Sequence, residues 1–477
     1  MPQHYTRIQP IPDQSLPTAI DLQLPTSFVK KHGISGKNSL NLTYGLQTVK
    51  VAFETVTTAA PVRIRESLAR RLHLLEEEMA YGFYFHAETR ELIVGPLVGV
   101  LIYRMAPTEE GMFGGITDFC REVSQTCRLR GGLGFIFTLD QISQENNTAD
   151  GWTYHNNHWI KRRFPLPKCV YNRIGSRRIE EKEETKEKIA ILKNKGVLFF
   201  NEQFLDKWHI YERMSRLPEN ASFSPYTELY TGVASLSAML QKHPYIYLKP
   251  SSGSLGRGII RLARTNGGYV CQYASLNGTV IRRYRTLGTL HQMLRSRIGK
   301  QQYLMQQGLH LIKMRGGIVD FRALVQKNRY GEWSITSVVG RSAPTSKSIV
   351  SNVARGGTML PLGGALTAAG FPPMTRNMVA ASIRKHALLI ARLFEKCVEG
   401  HYAELGIDLG VEKSGKVWLL EINSKPSKTN NALANAGKGS RPSVIRLVDY
   451  CFYRSGFIPS APKKTPQAKR RPRRRSS

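Results

Sequence analysis

The chain contains 477 residues with 41% hydrophobic content, which is enough to bury several cores and corresponds to about three domains of ordinary size. Its formal charge of +34 favours a polyanionic neighbour, but no signature of a dedicated DNA- or RNA-binding module is present. No apolar run approaches the roughly 18 residues that span a bilayer and the N-terminus lacks a secretory pattern, so we expect a cytosolic protein without a membrane span. The six cysteines form no CxxC pair, which predicts reduced thiols.

Four regions follow one another along the chain. Short strands punctuated by Gly, Pro and Asn predict a small β-rich module over residues 1–90. Apolar strands alternating with a helix predict an α/β layer over residues 91–200, in which the charged stretch 176–195 is an exposed connecting helix. Residues 201–455 hold the remaining strands and the candidate chemistry. Residues 456–477 are predicted to be a disordered basic tail, which either tethers the chain to a polyanion or only aids solubility.

A glycine-rich loop follows the predicted strand YIYLKP. The strand delivers Lys249 to the start of a loop that contains Gly253, Gly256 and Gly258. Glycines let backbone N–H groups approach phosphate oxygens closely, and the lysine supplies a point charge. The segment is not a Walker A loop, because GK[ST] is missing and a strand follows. An ordinary hairpin turn is the alternative interpretation.

The segment DFRALVQ reads as a strand with two charged residues on one face. Asp320 and Arg322 are two residues apart, so both point to the same side of a sheet. A guanidinium there can clamp phosphate or carboxylate, whereas the alternative is a local salt bridge. Arg341, at the end of the next strand, and Asn352, in SNVARGG, are further candidate anion contacts.

The strongest motif is AELGIDLGVEKSGKVWLLEINSKP, which predicts a β-hairpin with a two-residue turn at Ser414-Gly415. This turn places Asp408 opposite Glu421, with Asn423 on the same face. It also predicts a core face, made of Ile407, Leu409, Val411, Trp418, Leu420 and Ile422. Two facing carboxylates repel unless a cation lies between them, and hard oxygen ligands suit Mg²⁺. An exposed hairpin whose acids face water is the alternative.

Together these segments resemble the ATP-grasp superfamily, and most closely its YheC/YheD branch of endospore coat-associated proteins. The resemblance covers most of the chain and rests on the order and spacing of GPLVGVL, CVYNRIGSR, FFNEQFLDKW, YLKPSSGSLGRGI, YLMQQGL, DFRALVQ, SNVARGG and GIDLG through LLEIN. It implies an α+β protein with an ATP-grasp fold, in which two α+β subdomains sandwich a nucleotide beneath a mobile glycine-rich loop. Residues 91–200 would then form a pre-ATP-grasp-like domain.

The resemblance also implies roles for individual residues. Lys207 and Lys249 would contact ATP, whose phosphates would lie under Ser252, Gly253, Ser254, Gly256 and Gly258. Main-chain groups of Gln307 and Leu309 would meet the adenine edge, although many members of the superfamily have Glu where Gln307 stands. Arg322 and Arg341 would face the transferred phosphoryl group, with Asn352 as a further contact. Asp408, Glu421 and Asn423 would hold Mg²⁺, with Mn²⁺ as the alternative ion.

Two functions of different classes are compatible with this sequence. The first is an ATP-dependent ligase that joins a carboxylate substrate to an amine or thiol through an acylphosphate, as the superfamily's chemistry implies. The second is a nucleotide-binding, non-catalytic protein of the spore coat, attached to a polyanionic or coat partner through its basic tail. The set of lysines, arginines and metal ligands favours the ligase, because a scaffold has little need of it.

Overall fold

The structure is a computed structural model of the chain. It describes residues 4–57, 61–74, 79–108, 111–253, 256–275, 278–345, 348–349, 351, 356–428 and 439–457. The predicted tail, residues 456–477, therefore lies almost entirely outside the described residues, as do Ser254 and Asn352.

The first region is a closed barrel of seven strands, in the order β1-β5-β2-β4-β3-β7-β6, with β6 pairing back to β1. Leu22, Leu42 and Ile64 are among the fully buried side chains that fill it. Its elements are β1 (His4–Ile11), β2 (Leu22–Pro25), α1 (Thr26–His32), β3 (Ser39–Tyr44), β4 (Gln47–Val56), β5 (Val62–Arg65), α2 (Glu66–Arg71), β6 (Met79–His86) and β7 (Glu91–Gly95).

The second region is a seven-stranded sheet whose centre, β9-β8-β13-β14, is parallel. Its strands β8, β9 and β13 are buried on both faces, which is why they read as continuous apolar runs. Its elements are β8 (Leu97–Leu101), α3 (Thr117–Leu129), β9 (Leu133–Phe137), β10 (Ile142–Ser143), β11 (Thr148–His155), β12 (His158–Pro165), β13 (Cys169–Asn172), α4 (Arg177–Glu180), α5 (Glu183–Asn194) and β14 (Leu198–Phe200). The charged stretch predicted to be helical forms α4 and α5.

The third region is an antiparallel sheet of six strands, in the order β15-β20-β16-β17-β18-β19. Helices α7 and α8 cover one of its faces, where Leu236, Leu248 and Leu290 share a core. The elements, with the helix that precedes them, are α6 (Lys207–Ser215), β15 (Thr227–Leu229), α7 (Val233–Lys242), β16 (Tyr245–Pro250), β17 (Ile260–Thr265), β18 (Gly268–Ser275), β19 (Gly278–Tyr284), α8 (Leu287–Ile298) and β20 (Tyr303–Gln307).

The fourth region is an antiparallel sheet, in the order β24-β23-β22-β25-β26, with the long helix α10 packed on one face. The last helix, α11, leaves this region and contributes Val444, Leu447 and Tyr450 to the core of the second sheet. The elements are β21 (Lys313–Met314), β22 (Gly317–Lys327), β23 (Trp333–Ser342), β24 (Thr358–Pro361), α9 (Leu362–Ala368), α10 (Pro373–Cys397), β25 (Glu404–Val411), β26 (Val417–Asn423) and α11 (Pro442–Arg454).

Candidate functional site

A cavity of about 520 Å³, including the space at its open mouth, lies where the third and fourth sheets meet helix α6. Its apolar lining includes Ile210, Met214, Leu304 and Leu420. Its polar lining includes Lys207, Lys249, Gln306 and Glu421. A pocket with apolar walls and a few converging polar groups is the usual form of a small-molecule site. The two lysines make an anionic ligand the natural occupant.

Lys249 is positioned by the alternation of β16. Ile246 and Leu248 point into the core under α7 and α8, so Lys249 points to the opposite, cavity side of the sheet. Its Nζ donates a hydrogen bond to Gln306 Oε1 at 2.6 Å, and Gln306 Nε2 donates to Thr227 Oγ1 at 3.1 Å. Burial lowers the pKa of Lys249 to about 8, and the nearby Lys207 ammonium adds to this while the carboxylate of Glu421 opposes it. An anion beside Lys249 would therefore stabilise its charged form.

Lys207 is the first residue of α6, which Asp206 caps. Asp206 Oδ1 accepts hydrogen bonds from the N–H groups of Trp208 and His209, at 2.9 and 3.1 Å. The Lys207 N–H donates to the Ser251 carbonyl at 3.1 Å, while the Ser251 hydroxyl donates to Asp206 Oδ2. The start of α6 is thus tied to the start of the glycine loop by bonds in both directions.

The side chain of Lys207 reaches both the glycine loop and the hairpin. Its Nζ donates to the Gly253 carbonyl and lies 3.5 Å from Glu421 Oε1. One ammonium therefore contacts both elements that the sequence assigned to phosphate and metal, although they are about 170 residues apart in sequence.

The glycine loop joins β16 to β17, and its described residues are 251–253 and 256–259. Gly256 and Gly258 have positive φ angles of 67° and 75°, which L side chains adopt rarely. A Cβ on Gly258 would lie 2.8 Å from the hydroxyl oxygen of Tyr303, which donates a hydrogen bond to the Gly258 carbonyl. Ser252 is exposed at the start of this loop.

The hairpin β25–β26 places Asp408 directly opposite Glu421, which confirms that pairing. The predicted two-residue turn is wrong, because Glu412 N–H bonds the Lys416 carbonyl and leaves a three-residue loop. A bulge between Asp408 and Leu409 restores the register, since Leu409 pairs with Leu419 and leaves Leu420 as the extra residue.

The bulge also changes which residues of β26 face the core, so part of the predicted core face is wrong. Val417 and Leu419 lie in the core of the fourth region, where Trp418 and Leu420 had been expected. Leu420 instead lines the cavity. Ile422, beyond the bulge, is in the core as predicted.

Four charged side chains form a ladder across β23, β22 and β25. Arg341 donates to both oxygens of Asp320, at 2.7 Å each, and its Nη2 lies 2.9 Å from Asp408 Oδ2. Arg322 grips the same Asp408 carboxylate with Nε and Nη2. Gly406 makes room for this contact, because a Cβ there would lie 3.3 Å from Arg322 Nη1. Asp320 and Arg322 are therefore paired with residues of the two neighbouring strands, and the local salt bridge that the sequence left as an alternative is replaced by this longer-range network.

Burial and the charges of the ladder shift the pKa values of Asp408, Asp320 and Arg341. Burial raises the pKa of Asp408, but the guanidinium groups of Arg322 and Arg341 outweigh burial and lower the pKa to about 2. The pKa of Asp320 is raised, since burial and the neighbouring Asp408 outweigh the attraction of Arg341. Burial disfavours the charge of Arg341, but the two carboxylates reverse that effect and raise its pKa. Asp408 is therefore charged, and the two arginines already neutralise it.

The predicted metal ligands lie on neighbouring register positions of one hairpin. Asp408 faces Glu421, and Asn423 pairs with Gly406, two residues from Asp408. Asn423 Oδ1 accepts a hydrogen bond from the Lys425 N–H at 2.9 Å. Among the described residues, no group of three or more His, Cys, Asp or Glu side chains could hold a metal ion. Two carboxylates and one carboxamide are hard oxygen donors of the kind that Mg²⁺ binds, but both oxygens of Asp408 are held by arginines in this structure. The set of three ligands remains a prediction.

The predicted adenine contacts lie at the end of β20, next to the cavity lining. The Gln307 N–H donates to the Tyr226 carbonyl, and Gln307 Oε1 accepts from the Tyr226 N–H, at 2.9 Å each. The Leu309 carbonyl accepts from the Leu311 N–H at 2.9 Å. The cavity lining includes Leu304 and Gln306 of this strand. The roles of Gln307 and Leu309 remain predictions.

Sequence reasoning missed Gln306, Asp206 and Ser251. Asp206 carried a usable signal, because Asp directly before a helix is a common N-cap. Gln306 and Ser251 carried none, since their partners come from other strands or a helix whose register the local pattern does not reveal.

Two α+β units that face each other across a lysine-bearing cavity define an ATP-grasp protein. A family model described as YheC/D like ATP-grasp matches residues 196–453, which is more than half of the chain. The chain therefore belongs to the YheC/D-like ATP-grasp family.

Two relatives come from Bacillus subtilis (strain 168). The endospore coat-associated protein YheD is 28% identical over 416 residues, covering 85% of this chain and 90% of its own. The endospore coat-associated protein YheC is 23% identical over 310 residues, covering 62% of this chain and 82% of its own.

Solved structures with a similar arrangement include two ligases and a synthetase. VanG D-Ala:D-Ser ligase from Enterococcus faecalis has a TM-score of 0.44 at 10% identity, over 76% of this chain and 99% of its own. D-cycloserine synthetase DcsG has a TM-score of 0.43 at 11% identity, over 75% of this chain and 99% of its own. The D-alanine-D-alanine ligase from Coxiella burnetii has a TM-score of 0.42 at 14% identity, over 76% of this chain and 96% of its own. None of the helices in the described part of the chain is long and apolar enough to cross a membrane.

Proposed function

We propose that this protein is an ATP- and Mg²⁺-dependent ligase that activates a carboxylate as an acylphosphate and passes the acyl group to an amine or thiol. The observation that carries the proposal is that Lys207, Lys249 and Glu421 line one cavity with apolar walls. The apolar walls suit a flat base, and the lysines suit its phosphates. Arg322 on β22 and Arg341 on β23 converge on Asp408, which lies directly opposite Glu421.

The proposed reaction needs positioned charge rather than a protein nucleophile. A carboxylate oxygen of the substrate attacks the γ-phosphorus, ADP leaves, and the amine or thiol then displaces phosphate from the acylphosphate. Lys249 and Lys207 hold the phosphates, and Arg322 and Arg341 stabilise the transferred phosphoryl oxygens. Asp408, Glu421 and Asn423 hold Mg²⁺, or Mn²⁺ in its place, which neutralises charge on the phosphates. A role for Asn352 beside the arginines belongs to the same proposal.

The proposal is tested by measuring ADP release from Mg·ATP, with and without pooled carboxylates and amine or thiol acceptors. We expect acceptor-stimulated release. In Glu421→Gln it should fall by at least about 100-fold, roughly 2.7 kcal/mol in the barrier, because one charge on the metal is lost. Glu412→Gln, at the far end of the same hairpin, is the matched control and should behave like the parent. Equal rates for Glu421→Gln and the parent would remove Glu421 from the mechanism.

A second candidate function is a non-catalytic, nucleotide-binding protein of the spore coat. It is supported by the names of the two Bacillus relatives and by the eight positive charges in residues 463–477. Under this function, ATP raises the melting temperature without acceptor-dependent turnover. Deleting residues 463–477 would release the protein from the spore surface and leave ATP affinity unchanged. Unchanged localisation would remove the tail from this function.

A further inference from the structure

Acidic residues are almost absent from the third region of the protein. Residues 226–307 contain eleven Lys and Arg residues and a single acid, Glu228. In the rest of the chain, 58 basic residues are balanced by 34 acids, so the depletion is local. Lys242 Nζ lies 3.8 Å from Glu228, so the one acid already has a basic neighbour. The positive charge of this region is therefore left without an internal counterpart.

Three of these eleven basic residues lie on and beside β19. Arg282 and Arg283 lie within the strand and Arg285 follows it, and all three are exposed. None of the three forms an ion pair with a carboxylate in the described parts of the chain. Helix α8 adds Arg297, which stacks on the Tyr273 ring at 3.5 Å.

The arginines of β19 and α8 surround one face of the same sheet. Arg282 pairs with Cys271 across the ladder, so their side chains share a face. Burial raises the pKa of the Cys271 thiol to about 11, and the guanidinium groups of Arg297 and Arg282 both oppose that rise, which indicates that both lie near it. Arg283 points to the opposite face. The strand therefore presents positive charge on both sides.

The strand β19 is also an edge of its sheet. It pairs with β18 along its whole length, from Gly278, which lies opposite Ser275, to Tyr284, which lies opposite Tyr269. No other described strand pairs with it. An edge strand has a row of main-chain N–H and C=O groups available for another strand. Ile281, in the middle of the strand and directly before Arg282, is 48% exposed and offers an apolar contact beside the arginines.

We propose that β19 binds an extended acidic peptide, which adds to the sheet as a seventh strand. The open main-chain edge would supply the ladder of hydrogen bonds, Ile281 would supply an apolar contact, and Arg282 and Arg283 would select acidic side chains. A nucleic acid would use the charges but has no strand backbone to pair with the edge. The same arginines repel β19 of a second copy, so the edge is closed to self-pairing and open to acidic strands. This inference does not depend on the ligase chemistry.

The test is fluorescence anisotropy with the full chain at about 0.15 M salt, where weak surface charge effects are screened. The probe is a labelled ten-residue peptide of alternating Glu and Val. Its comparators are the same peptide N-methylated at every second residue, in either phase, and an oligothymidylate of equal charge. We expect the unmethylated peptide to bind, and one methylated phase to bind at least about tenfold more weakly, because strand pairing is lost.

Two paired variants locate the site. Arg282→Glu/Arg283→Glu should weaken binding of the acidic peptide by at least about tenfold, since two attractive charges become repulsive. Arg384→Glu/Lys385→Glu changes the same charge at an exposed pair on α10 and should bind like the parent. Far-UV circular dichroism verifies that both variants fold. Equal binding of both methylated phases and the parent peptide, tighter binding of the oligothymidylate, or equal loss in the two variants would overturn the proposal.

Discussion

At the scale of single residues, Lys249 has the most informative ionisation. Its pKa of about 8 in the folded chain lies below its ordinary value of 10.5. Between these two pH values the folded state binds fewer protons than the unfolded state, so stability from this group rises with pH through that window. Burial of Lys249 therefore costs stability at neutral pH. A buried lysine that lowers stability is more common at functional sites than elsewhere, and this supports the proposed contact between Lys249 and phosphate.

The pH dependence of ATP affinity tests this role of Lys249. Below about pH 8 the ammonium is charged and affinity should be constant, whereas above it affinity should fall by up to about tenfold per pH unit. Lys249→Met should bind more weakly at pH 7 and lose this dependence. Titrations by calorimetry between pH 7 and 10 measure both effects. A parent whose affinity is flat across that range would show that Lys249 does not contact the phosphates.

At the scale of elements, the joint between helix α6 and the glycine loop makes a distinct prediction. Asp206→Ala should destabilise the protein by about 1 kcal/mol, because the helix loses its cap. It should also raise KM for ATP, because Asp206 no longer holds the Ser251 hydroxyl. Ser251→Ala leaves the cap intact, so it should raise KM with a smaller change in urea stability. If either variant had the parental KM for ATP, the hydrogen bonds between α6 and the glycine loop would not contribute to nucleotide binding.

The hairpin and the ladder show which features of the site could be predicted from the sequence. Alternation and turn residues predicted that Asp408 faces Glu421. The prediction is correct because the bulge at Leu420 compensates for the misplaced turn. The core positions of β26 were wrong for the same reason, since one inserted residue reverses the alternation. The pairing of Arg341 with both Asp320 and Asp408 depends on three strands in register, and strand order is a long-range property.

At the scale of the whole molecule, a buried carboxylate at the start of β25 joins the second sheet to the fourth. Glu404 is 1% exposed and accepts hydrogen bonds from Tyr171 on β13 at 2.6 Å and from Gln326 on β22 at 2.7 Å. Lys428 completes the set by donating to the same carboxylate. Burial lowers the pKa of Lys428, and Glu404 opposes that shift. The two sheets are therefore joined by the Tyr171–Glu404 hydrogen bond as well as by α11.

Removing one member of the buried Glu404–Lys428 ion pair should lower the stability of the protein. Glu404→Gln leaves the Lys428 ammonium buried without its counter-charge, and we expect a loss of about 3–5 kcal/mol in the free energy of unfolding. Glu404→Gln/Lys428→Met removes both charges and should recover much of that loss. Urea denaturation followed by tryptophan fluorescence measures both. A double variant less stable than the single variant would contradict this explanation of the interface.

The overall arrangement was predictable only in part. The α+β class and the ATP-grasp fold were predicted from motif order, and the family match confirms them. The closure of β1 to β7 into a barrel was not, because closure depends on the pairing of β1 with β6, about 75 residues later. Nor did the apolar spacing of α11 reveal that the helix packs on the second sheet, since periodicity identifies a buried face and not its partner.

We propose that the cavity between the third and fourth sheets binds Mg·ATP. Calorimetric titration of the full chain with ATP, in the presence and absence of Mg²⁺, tests for this site. We predict one site per chain, weakened at least about tenfold in Lys249→Met and in Glu421→Gln, with the Mg²⁺ dependence lost in Glu421→Gln. Binding that is unchanged in both variants would place the nucleotide elsewhere and contradict the proposed site.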